Sequence, residues 1–434
     1  MIWIHAGQSL WLMAFLPLFS ACALSWIRRF FDAWKERGSI AWQEKTTSGT
    51  LSAGQAVGAA LAATVGTGNI VGTAQAIAMG GPGAVFWMWA AALLGMPVKA
   101  AEIMIGQRMG GAMAYIRRAL GLMPAWIYGL LALGNVLILG NMAQVNAAAS
   151  LFRNPFEKGG ILPGFLVSLM LTTLIMLSLR KGISGVSTFC VRIVFAMAGL
   201  YMATCTLALT LHARQILPAF RLILRCALQP KAIGGAAAGL FARNACIWGL
   251  KRGAFSNESG LGTAANIHAY TAEADPKRNA LFGVMEVFVD TILLCTLSAI
   301  VILSAGISIP YGSLPGSELM LQALAASFGD GTARWLLGLC LGSFALSTIL
   351  GSYIVGHRCA ASLGIEEAFY RSVFMICTAL GPILPLRLIW KSADLVNVLM
   401  ALPNMLALLL LARDGCRGET RISRKLKNPL LPRG

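Results

Sequence analysis

The sequence is poor in charged residues and lacks the patterns that mark most enzymes and metal proteins. Only 12% of the 434 residues are charged and 57% are hydrophobic, whereas soluble proteins carry about 25% charged residues. The ten cysteines form no CxxC pair, so they predict neither a zinc site nor a disulfide framework. There is no G-x-x-x-x-G-K-[ST], no nucleophile elbow and no H-E-x-x-H. These absences predict a non-enzymatic membrane protein that uses no ATP.

Hydrophobic runs predict a polytopic protein of about eleven transmembrane helices. Their approximate bounds are 10–27, 52–79, 84–106, 123–151, 161–179, 187–211, 234–269, 280–306, 335–356, 369–389 and 394–412. If the loop 28–50 is cytoplasmic, inside segments hold more than twice as many Lys and Arg residues as outside loops. The net charge of +18 then reflects the positive-inside bias and not nucleic-acid binding. The N-terminus is expected outside and the C-terminus in the cytoplasm.

The chain divides into three predicted parts. Residues 1–50 form an N-terminal helix and a basic cytoplasmic loop, 51–412 form the core, and 413–434 form a basic tail near lipid headgroups. Arg28 and Arg29 follow the first apolar run and no basic residue precedes it. A secretory signal has its positive charge before the apolar run, so this helix is expected to be retained.

Two of the hydrophobic spans are interrupted in a way that predicts unwound helices. The first break lies in Thr64-Val-Gly-Thr-Gly-Asn-Ile-Val-Gly-Thr73, and the second in Gly253-Ala-Phe-Ser-Asn-Glu-Ser-Gly-Leu-Gly262. Backbone groups freed at membrane depth must be buried in protein or line a cavity. Paired broken helices are the best sequence sign of a transporter binding site. The plainer interpretation is a glycine kink that packs against a neighbour.

The positions of the two breaks favour an inverted repeat. Ten spans follow the first one, and each break falls in the first span of a group of five, 51–211 or 234–412. Repeats of odd length enter the membrane from opposite sides. The sequence therefore predicts an all-α membrane protein with a ten-helix core and one extra N-terminal helix. An external segment, Pro310–Phe328, is expected to contain a short helix at Ser317–Ala326 and either to cover a vestibule or to be a passive connector.

Several polar residues elsewhere in the spans are candidates for the same site. Asn69 and Asn257 offer neutral oxygens for a cation or substrate, and Gln144 either lines the cavity or bridges helices. Ser347 and Thr348 are possible sodium ligands, although hydroxyls in membrane helices commonly bond back to their own helix.

Four charged residues within the spans have expected roles. Glu258 either pairs with Lys251 or Arg252 or shapes a cation site. Lys99 and Glu102 are expected to pair with each other. Asp290 is a second buried acid that could titrate.

The chain resembles the alanine or glycine:cation symporter family from about Leu51 to Leu410. The motifs that carry the resemblance are Gly66-Thr-Gly-Asn-Ile70, Gly80-Gly-Pro-Gly-Ala-Val-Phe-Trp-Met-Trp89, Lys99-Ala-Ala-Glu102, Gly140-Asn-Met-Ala-Gln144, Arg252-Gly-Ala-Phe-Ser-Asn-Glu-Ser-Gly-Leu-Gly262, Val289-Asp-Thr291 and Pro403-Asn404. The resemblance implies a leucine-transporter-like fold and sodium-coupled import of alanine or glycine across the inner membrane of a prokaryote.

The resemblance also implies residue roles. The substrate pocket would be formed by Thr67, Gly68, Asn69, Gln144, Phe255, Ser256 and Asn257. Asn69 and the Thr64 carbonyl would serve one sodium ion. The carbonyls of Ala62 and Val65 with the hydroxyls of Ser347 and Thr348 would serve the other.

Local departures from the family pattern leave the substrate open. The chain has Gly110-Gly-Ala-Met-Ala-Tyr-Ile116, Ser352-Tyr-Ile-Val355 and Ala264-Ala-Asn266 where the family usually differs. The expected partners are a small neutral amino acid, sodium as the coupling ion, and the lipid bilayer. The alternatives are a proton-coupled or retargeted amino-acid transporter and a sensor that binds an amino acid without moving it.

Overall fold

The regular elements of the described chain are all helices. The computed structural model describes residues 16–35, 53–152, 162–180, 182–228, 236–269, 271 and 275–416. Within these ranges the helices, in chain order, are α1 Leu16–Lys35, α2 Ala53–Thr64, α3 Gly68–Gly80, α4 Ala84–Met109, α5 Ala112–Leu120, α6 Leu122–Ser150, α7 Leu162–Leu179, α8 Gly182–Leu211, α9 Ala213–Leu228, α10 Ala236–Asn257, α11 Thr263–His268, α12 Pro276–Ser304, α13 Glu318–Phe328, α14 Asp330–Ser362, α15 Glu367–Leu380 and α16 Leu386–Cys416.

Helix length and composition agree with a multi-pass membrane protein. In the described ranges, six helices are long and apolar enough to cross a bilayer, and the pair α2 and α3, bent by 45°, makes a possible seventh. The all-helical membrane architecture is therefore confirmed. The count of eleven crossings and the inverted repeat stay predictions. The first predicted run, 10–27, and the basic tail lie partly or wholly outside the described residues.

Both predicted interruptions exist, but the second is displaced along the chain. The first helix stops at Thr64 and resumes at Gly68. The second helix continues through Asn257 and resumes at Thr263, so the residues from Gly253 to Asn257 are helical and only Glu258–Gly262 are unwound. Glycine 260 and glycine 262 have φ values of 89° and 76°, a backbone region that glycine enters at no steric cost.

Small residues let α4 lie directly against both halves of the second broken helix. A β-carbon at Gly253 would lie 2.8 Å from the β-carbon of Ala91, and one at Gly95 would lie 2.8 Å from the Ser259 hydroxyl. Further along, a β-carbon at Gly106 would lie 2.7 Å from that of Ala265. Because membrane helices pack through small residues, this glycine series fixes α4 beside the break.

In the part of the chain that the structure describes, three helical segments have the wider π-helical turn. They are Gly68–Gly72, Ile138–Met142 and Phe288–Cys295. A π-turn leaves carbonyls free of the regular helical ladder and is frequent at functional sites. Each segment carries or adjoins one of the polar residues described below, Asn69, Gln144 or Asp290.

The helix expected in the external segment is present as α13, and the loop before it contacts α3. The Gln75 amide donates to the Pro315 carbonyl over 3.1 Å, and the Gly312 amide donates to the Ala78 carbonyl over 3.0 Å. Whether this segment covers a vestibule stays a prediction.

Helix α9 was not predicted. It is amphipathic, so a hydropathy search passes over it, and it packs beside α4 and α12.

We expect that Gly351→Ala disturbs the crossing of α14 with α2. A β-carbon there would lie 2.8 Å from the Ala62 carbonyl carbon, and the backbone cannot move aside as a side chain can. Overpacking of this kind costs about 1–3 kcal/mol. The melting temperature of the purified protein should fall. Gly342→Ala is the control on the same helix, because nothing lies within 4 Å of its β-carbon. Equal melting temperatures for both variants would contradict the close approach.

Candidate functional site

Side chains from other helices satisfy the unwound backbone of the first break. The Gln144 side-chain oxygen accepts from the Thr67 amide over 3.0 Å and from the Thr67 hydroxyl over 2.8 Å. Within the break, Asn69 Oδ1 accepts from the Gly66 amide over 3.0 Å. On the far side, the Thr348 hydroxyl donates to the Val65 carbonyl over 3.1 Å. The unwound segment is therefore held in place by contacts from α6 on one side and from α14 on the other.

Lys99 and Glu102, one turn apart on α4, hold the two ends of the second break. Lys99 Nζ donates to the Asn257 carbonyl, the last of α10, over 2.9 Å. Glu102 Oε1 accepts from the Gly262 amide, just before α11, over 2.9 Å. A cation at a helix C-terminus and an acid at an N-terminus both stabilise the helix ends. The expected Lys99–Glu102 ion pair is thus wrong, because each side chain is engaged by a helix end.

Three further backbone groups of the second break have side-chain partners. The Tyr128 hydroxyl donates to the Leu261 carbonyl over 2.9 Å, and the Asn404 amide donates to the Gly260 carbonyl over 2.8 Å. Asn257 Oδ1 accepts from the Ser259 amide over 3.0 Å. Because lipid satisfies none of these groups, the contacts explain how an unwound segment persists at membrane depth.

A buried ionic network lies behind this break. Glu286 lies 3.5 Å from Lys99 Nζ and 2.8 Å from His268 Nε2. The other ring nitrogen of His268 lies 2.7 Å from Asn279 Oδ1, while the Asn279 amide group donates to the His268 carbonyl. Both ring nitrogens of His268 therefore face protein oxygens.

Asp290 joins the two broken helices. One carboxylate oxygen accepts from the Asn69 side-chain amide over 2.7 Å, and the other accepts from the Ser256 hydroxyl over 2.6 Å. The Asn69 amide also donates to the Asp290 main-chain carbonyl over 2.9 Å. Asp290 is fully buried in the π-helical turn of α12. One acid thus connects the first unwound segment to the end of α10.

The two breaks open on one cavity. It is narrow, with a volume of about 30 Å³ for the centre of a water-sized sphere. The lining residues come from both broken helices, α6, α14 and α16, and they are Ala63, Thr64, Gly66, Gly68, Gly72, Leu139, Gly140, Gln144, Arg252, Phe255, Ser256, Glu258, Thr348 and Trp390. Pockets of this kind, formed between the halves of broken helices, bind transporter substrates.

Four of the seven predicted substrate residues line this cavity, and three lie behind its wall. Gly68, Gln144, Phe255 and Ser256 face it. Thr67 and Asn69 are fully buried and hold the first break through the contacts above. Asn257 is buried on the α4 side, where its oxygen accepts from Ser259.

The predicted cation donors form two groups. Val65 O and the Thr348 hydroxyl are already in contact, and the neighbouring Ser347 hydroxyl is buried with no hydrogen-bond partner in the described chain. Ala62 lies at the same crossing, beside Gly351. A buried hydroxyl without a partner, such as that of Ser347, suits a hard cation such as sodium. In the other group, Thr64 lines the cavity, and Asn69 Oδ1 has a second lone pair.

Glu258 does not pair with Lys251 or Arg252, contrary to one expectation. Both bases pair with Asp394 on α16, Arg252 at 3.2 Å. The Arg252 guanidinium also lies over the Trp390 ring, 4.7 Å from its centroid, and near Phe255. Sequence spacing favoured a local partner, whereas the nearest acid comes from a helix more than a hundred residues away.

The sequence analysis did not identify Trp390 as a site residue, and from the sequence Asp394 could either face the cavity or bridge helices. The two residues lie one helical turn apart in Trp390-Lys-Ser-Ala-Asp394, and that spacing was the available signal. By contrast, Asn141 and Asn146 bridge helices. The Asn141 amide donates to the Phe374 carbonyl and the Asn146 amide donates to the Gly381 carbonyl, each over 2.8 Å.

Comparison with known proteins assigns this arrangement to a family. The model of the sodium:alanine symporter family matches residues 9–428. The chain belongs to the sodium:alanine symporter family. It is 35% identical over 396 residues to the sodium/alanine symporter AgcS of Methanococcus maripaludis, covering 85% of this chain and 84% of that protein. It is 37% identical over 388 residues to an uncharacterized transporter of Haemophilus influenzae, covering 86% and 84%.

The fold is shared with more distant transporters. The crystal structure of MhsT in complex with L-phenylalanine superposes with a TM-score of 0.58 at 18% identity, covering 83% of this chain and 89% of that one. At such low identity the likeness shows the fold alone, which agrees with the leucine-transporter-like expectation. The chain is therefore a secondary transporter of this symporter family and not an enzyme.

We expect Asp394→Asn to destabilise the protein strongly. The change leaves Lys251 and Arg252 buried without their shared acid, and breaking a buried pair from one side costs about 3–5 kcal/mol. The measurement is thermal unfolding of the purified protein in detergent. The control is Glu367→Gln, which removes an exposed pair with His357 and should cost less than about 1 kcal/mol. An Asp394→Asn variant that unfolds at the wild-type temperature would show that the pair is not needed.

Proposed function

We propose that the protein imports a small neutral amino acid, alanine or glycine, together with sodium. The observation that carries this proposal is the single cavity on which both unwound segments open. It is lined by a neutral amide, a hydroxyl and two aromatic rings, Gln144, Ser256, Phe255 and Trp390. The family membership and the printed name of the AgcS relative support the substrate class and the ion.

The amino-acid carboxylate is expected at the start of α3. The Gly68 amide begins that half-helix and has no hydrogen-bond acceptor in the described part of the chain. A β-carbon at Gly68 would meet nothing within 4 Å, so the backbone is open to a ligand. Free amides and the positive end of a helix both favour an anion.

Phe255 and Trp390 would limit the size of the substrate side chain. The two ring centroids lie 6.1 Å apart, and both rings border the cavity. The Arg252 guanidinium lies against both rings and is held by Asp394. Two large, immobilised aromatic groups leave little room beside the unwound backbone, which favours a substrate as small as alanine or glycine.

Sodium would act by completing the coordination that the break leaves open. The carbonyls of Ala62 and Val65 with the hydroxyls of Ser347 and Thr348 would hold one ion between α2 and α14. Asn69 and the Thr64 carbonyl would hold the other beside the cavity. An ion at either place would stabilise the unwound segment that the substrate also contacts, so each ligand would raise the affinity for the other.

Alternating access would follow from motion of the broken helices against the rest of the core. The unwound segments can change direction because they lack the continuous helical ladder. Asp290 joins the start of α3 to the end of α10, so we expect the two broken helices to move as one unit. A proton-coupled cycle is the second candidate, because Asp290 and Glu258 are carboxylates at the two breaks.

Uptake of labelled alanine into proteoliposomes tests the proposal. An inward sodium gradient should drive accumulation, and replacing external sodium by potassium should abolish it. One charge moving through 100 mV supplies about 2.3 kcal/mol, enough for roughly 50-fold accumulation. Uptake that responds to a pH gradient and not to sodium would favour the proton-coupled candidate. Binding without any uptake or exchange would favour a sensor.

We expect Thr348→Val to lower the affinity for sodium at least tenfold, or about 1.4 kcal/mol. The substitution keeps the shape and removes the oxygen that contacts Val65 O. The measurement is the sodium concentration that gives half-maximal uptake. Ser343→Ala is the control on the same helix, because that hydroxyl bonds back to Leu339 and Cys340. An unchanged sodium dependence in Thr348→Val would remove this residue from the ion site.

A further inference from the structure

The charged side chains of Arg252 and Glu258 line the cavity, and only one of them has an ion-pair partner in the described chain. Arg252 is held by Asp394 at 3.2 Å. Glu258 has no ion-pair partner in the described ranges, because Lys251 and Arg252 pair elsewhere and Lys99 is held by Glu286 and the Asn257 carbonyl. A carboxylate at membrane depth without a cation is costly and points to a function.

The backbone conformation of Glu258 is also exceptional. Its φ is 54°, and within the described chain no other residue besides glycine has a positive φ. A non-glycine residue in this region costs on the order of 1–3 kcal/mol and persists where surrounding contacts impose it, commonly at ligand sites. Here the contacts at Asn257, Gly260 and Gly262 impose it. The strain places a carboxylate at a position that glycine would occupy more easily.

The two carboxylate oxygens of Glu258 have different surroundings. The Thr263 hydroxyl donates to Oε2 over 2.7 Å, which fixes the rotation of the side chain from the start of α11. Oε1 has no hydrogen-bond partner in the described chain, and Glu258 is partly accessible and lines the cavity. One oxygen therefore orients the group and the other is presented to the cavity.

We propose that Glu258 binds the α-ammonium group of the transported amino acid. This inference rests on the proposed function and adds to it a specific contact. A zwitterionic substrate carries a positive and a negative end. The Gly68 amide, at the start of α3, would receive the carboxylate, and Glu258, in the other break, would receive the ammonium group. Each broken helix would then hold one end of the same molecule.

The arrangement predicts which compounds are rejected. A charge-assisted hydrogen bond is among the stronger polar contacts, and a buried group left unpaired by an analogue is penalised. Lactate and propionate have the carboxylate of alanine but no ammonium group, so they would leave Oε1 of Glu258 unpaired. The site should therefore select amino acids over hydroxy acids and simple acids of the same size.

The test is displacement of labelled alanine by unlabelled alanine, lactate and propionate in the presence of sodium, on wild type and Glu258→Gln in detergent. Wild type should prefer alanine to lactate by at least about a hundredfold. Glu258→Gln keeps an acceptor for Thr263 and should lose about tenfold to a hundredfold in alanine affinity, with little change for lactate. The control is Glu367→Gln, on the exposed end of α15, which should bind like wild type.

The outcomes separate this inference from the proposed function. If wild type binds alanine but Glu258→Gln retains the wild-type preference for alanine over lactate, Glu258 does not bind the ammonium group. The same holds if Glu258→Gln binds alanine normally and loses only a response to pH. If wild type binds lactate as tightly as alanine, the inference fails without any variant. If wild type binds no labelled amino acid, the proposed function itself fails and this inference with it. Thermal unfolding of each variant shows whether a loss of binding reflects misfolding.

Discussion

The structure depends on satisfying the backbone groups that two helix breaks release inside a membrane. Each unpaired amide or carbonyl in lipid would cost several kcal/mol. At the first break the partners are the Gln144 amide and the Thr348 hydroxyl. At the second they are Lys99 and Glu102, which engage the two helix ends from one turn of α4. The main role of these polar side chains is to pair with the freed backbone groups, and ligand binding is their second role.

The same requirement explains why so few polar groups remain for a ligand. Thr67, Asn69 and Asn257 each spend a side-chain oxygen contact on holding a break. Among the described groups still free to bind a ligand are the Gly68 amide, the Ser347 hydroxyl and one oxygen of Glu258. They suit, in order, a carboxylate, a cation and an ammonium group. Groups of these three kinds match the proposed ligands, a zwitterion and sodium. The affinity of the site for them depends on the unwound backbone being held in place.

The sequence predicted the kind of fold and the presence of two helix breaks, but not the long-range partners of the polar residues. Glycines and amides in apolar runs marked both breaks, because few other reasons exist for such residues at membrane depth. Lys99 and Glu102 were expected to pair because they are three residues apart. In the structure Lys99 contacts the end of α10 and Glu102 contacts the residue before α11. The spacing of residues in the sequence does not reveal such contacts. Asp394 was undecided for the same reason, since its partners lie on α10. The extent of the second break was also misjudged, because Gly253 serves close packing against α4 and not unwinding.

The central claim is that sodium and the amino acid bind to one pair of unwound segments and stabilise each other there. Isothermal titration calorimetry of the purified protein tests it most directly. Alanine is titrated at several fixed sodium concentrations, and sodium is titrated with and without alanine. The account predicts that the dissociation constant of alanine falls as sodium rises. It also predicts that saturating alanine lowers the dissociation constant of sodium by the same factor. An alanine affinity that is the same in sodium and in potassium would contradict it.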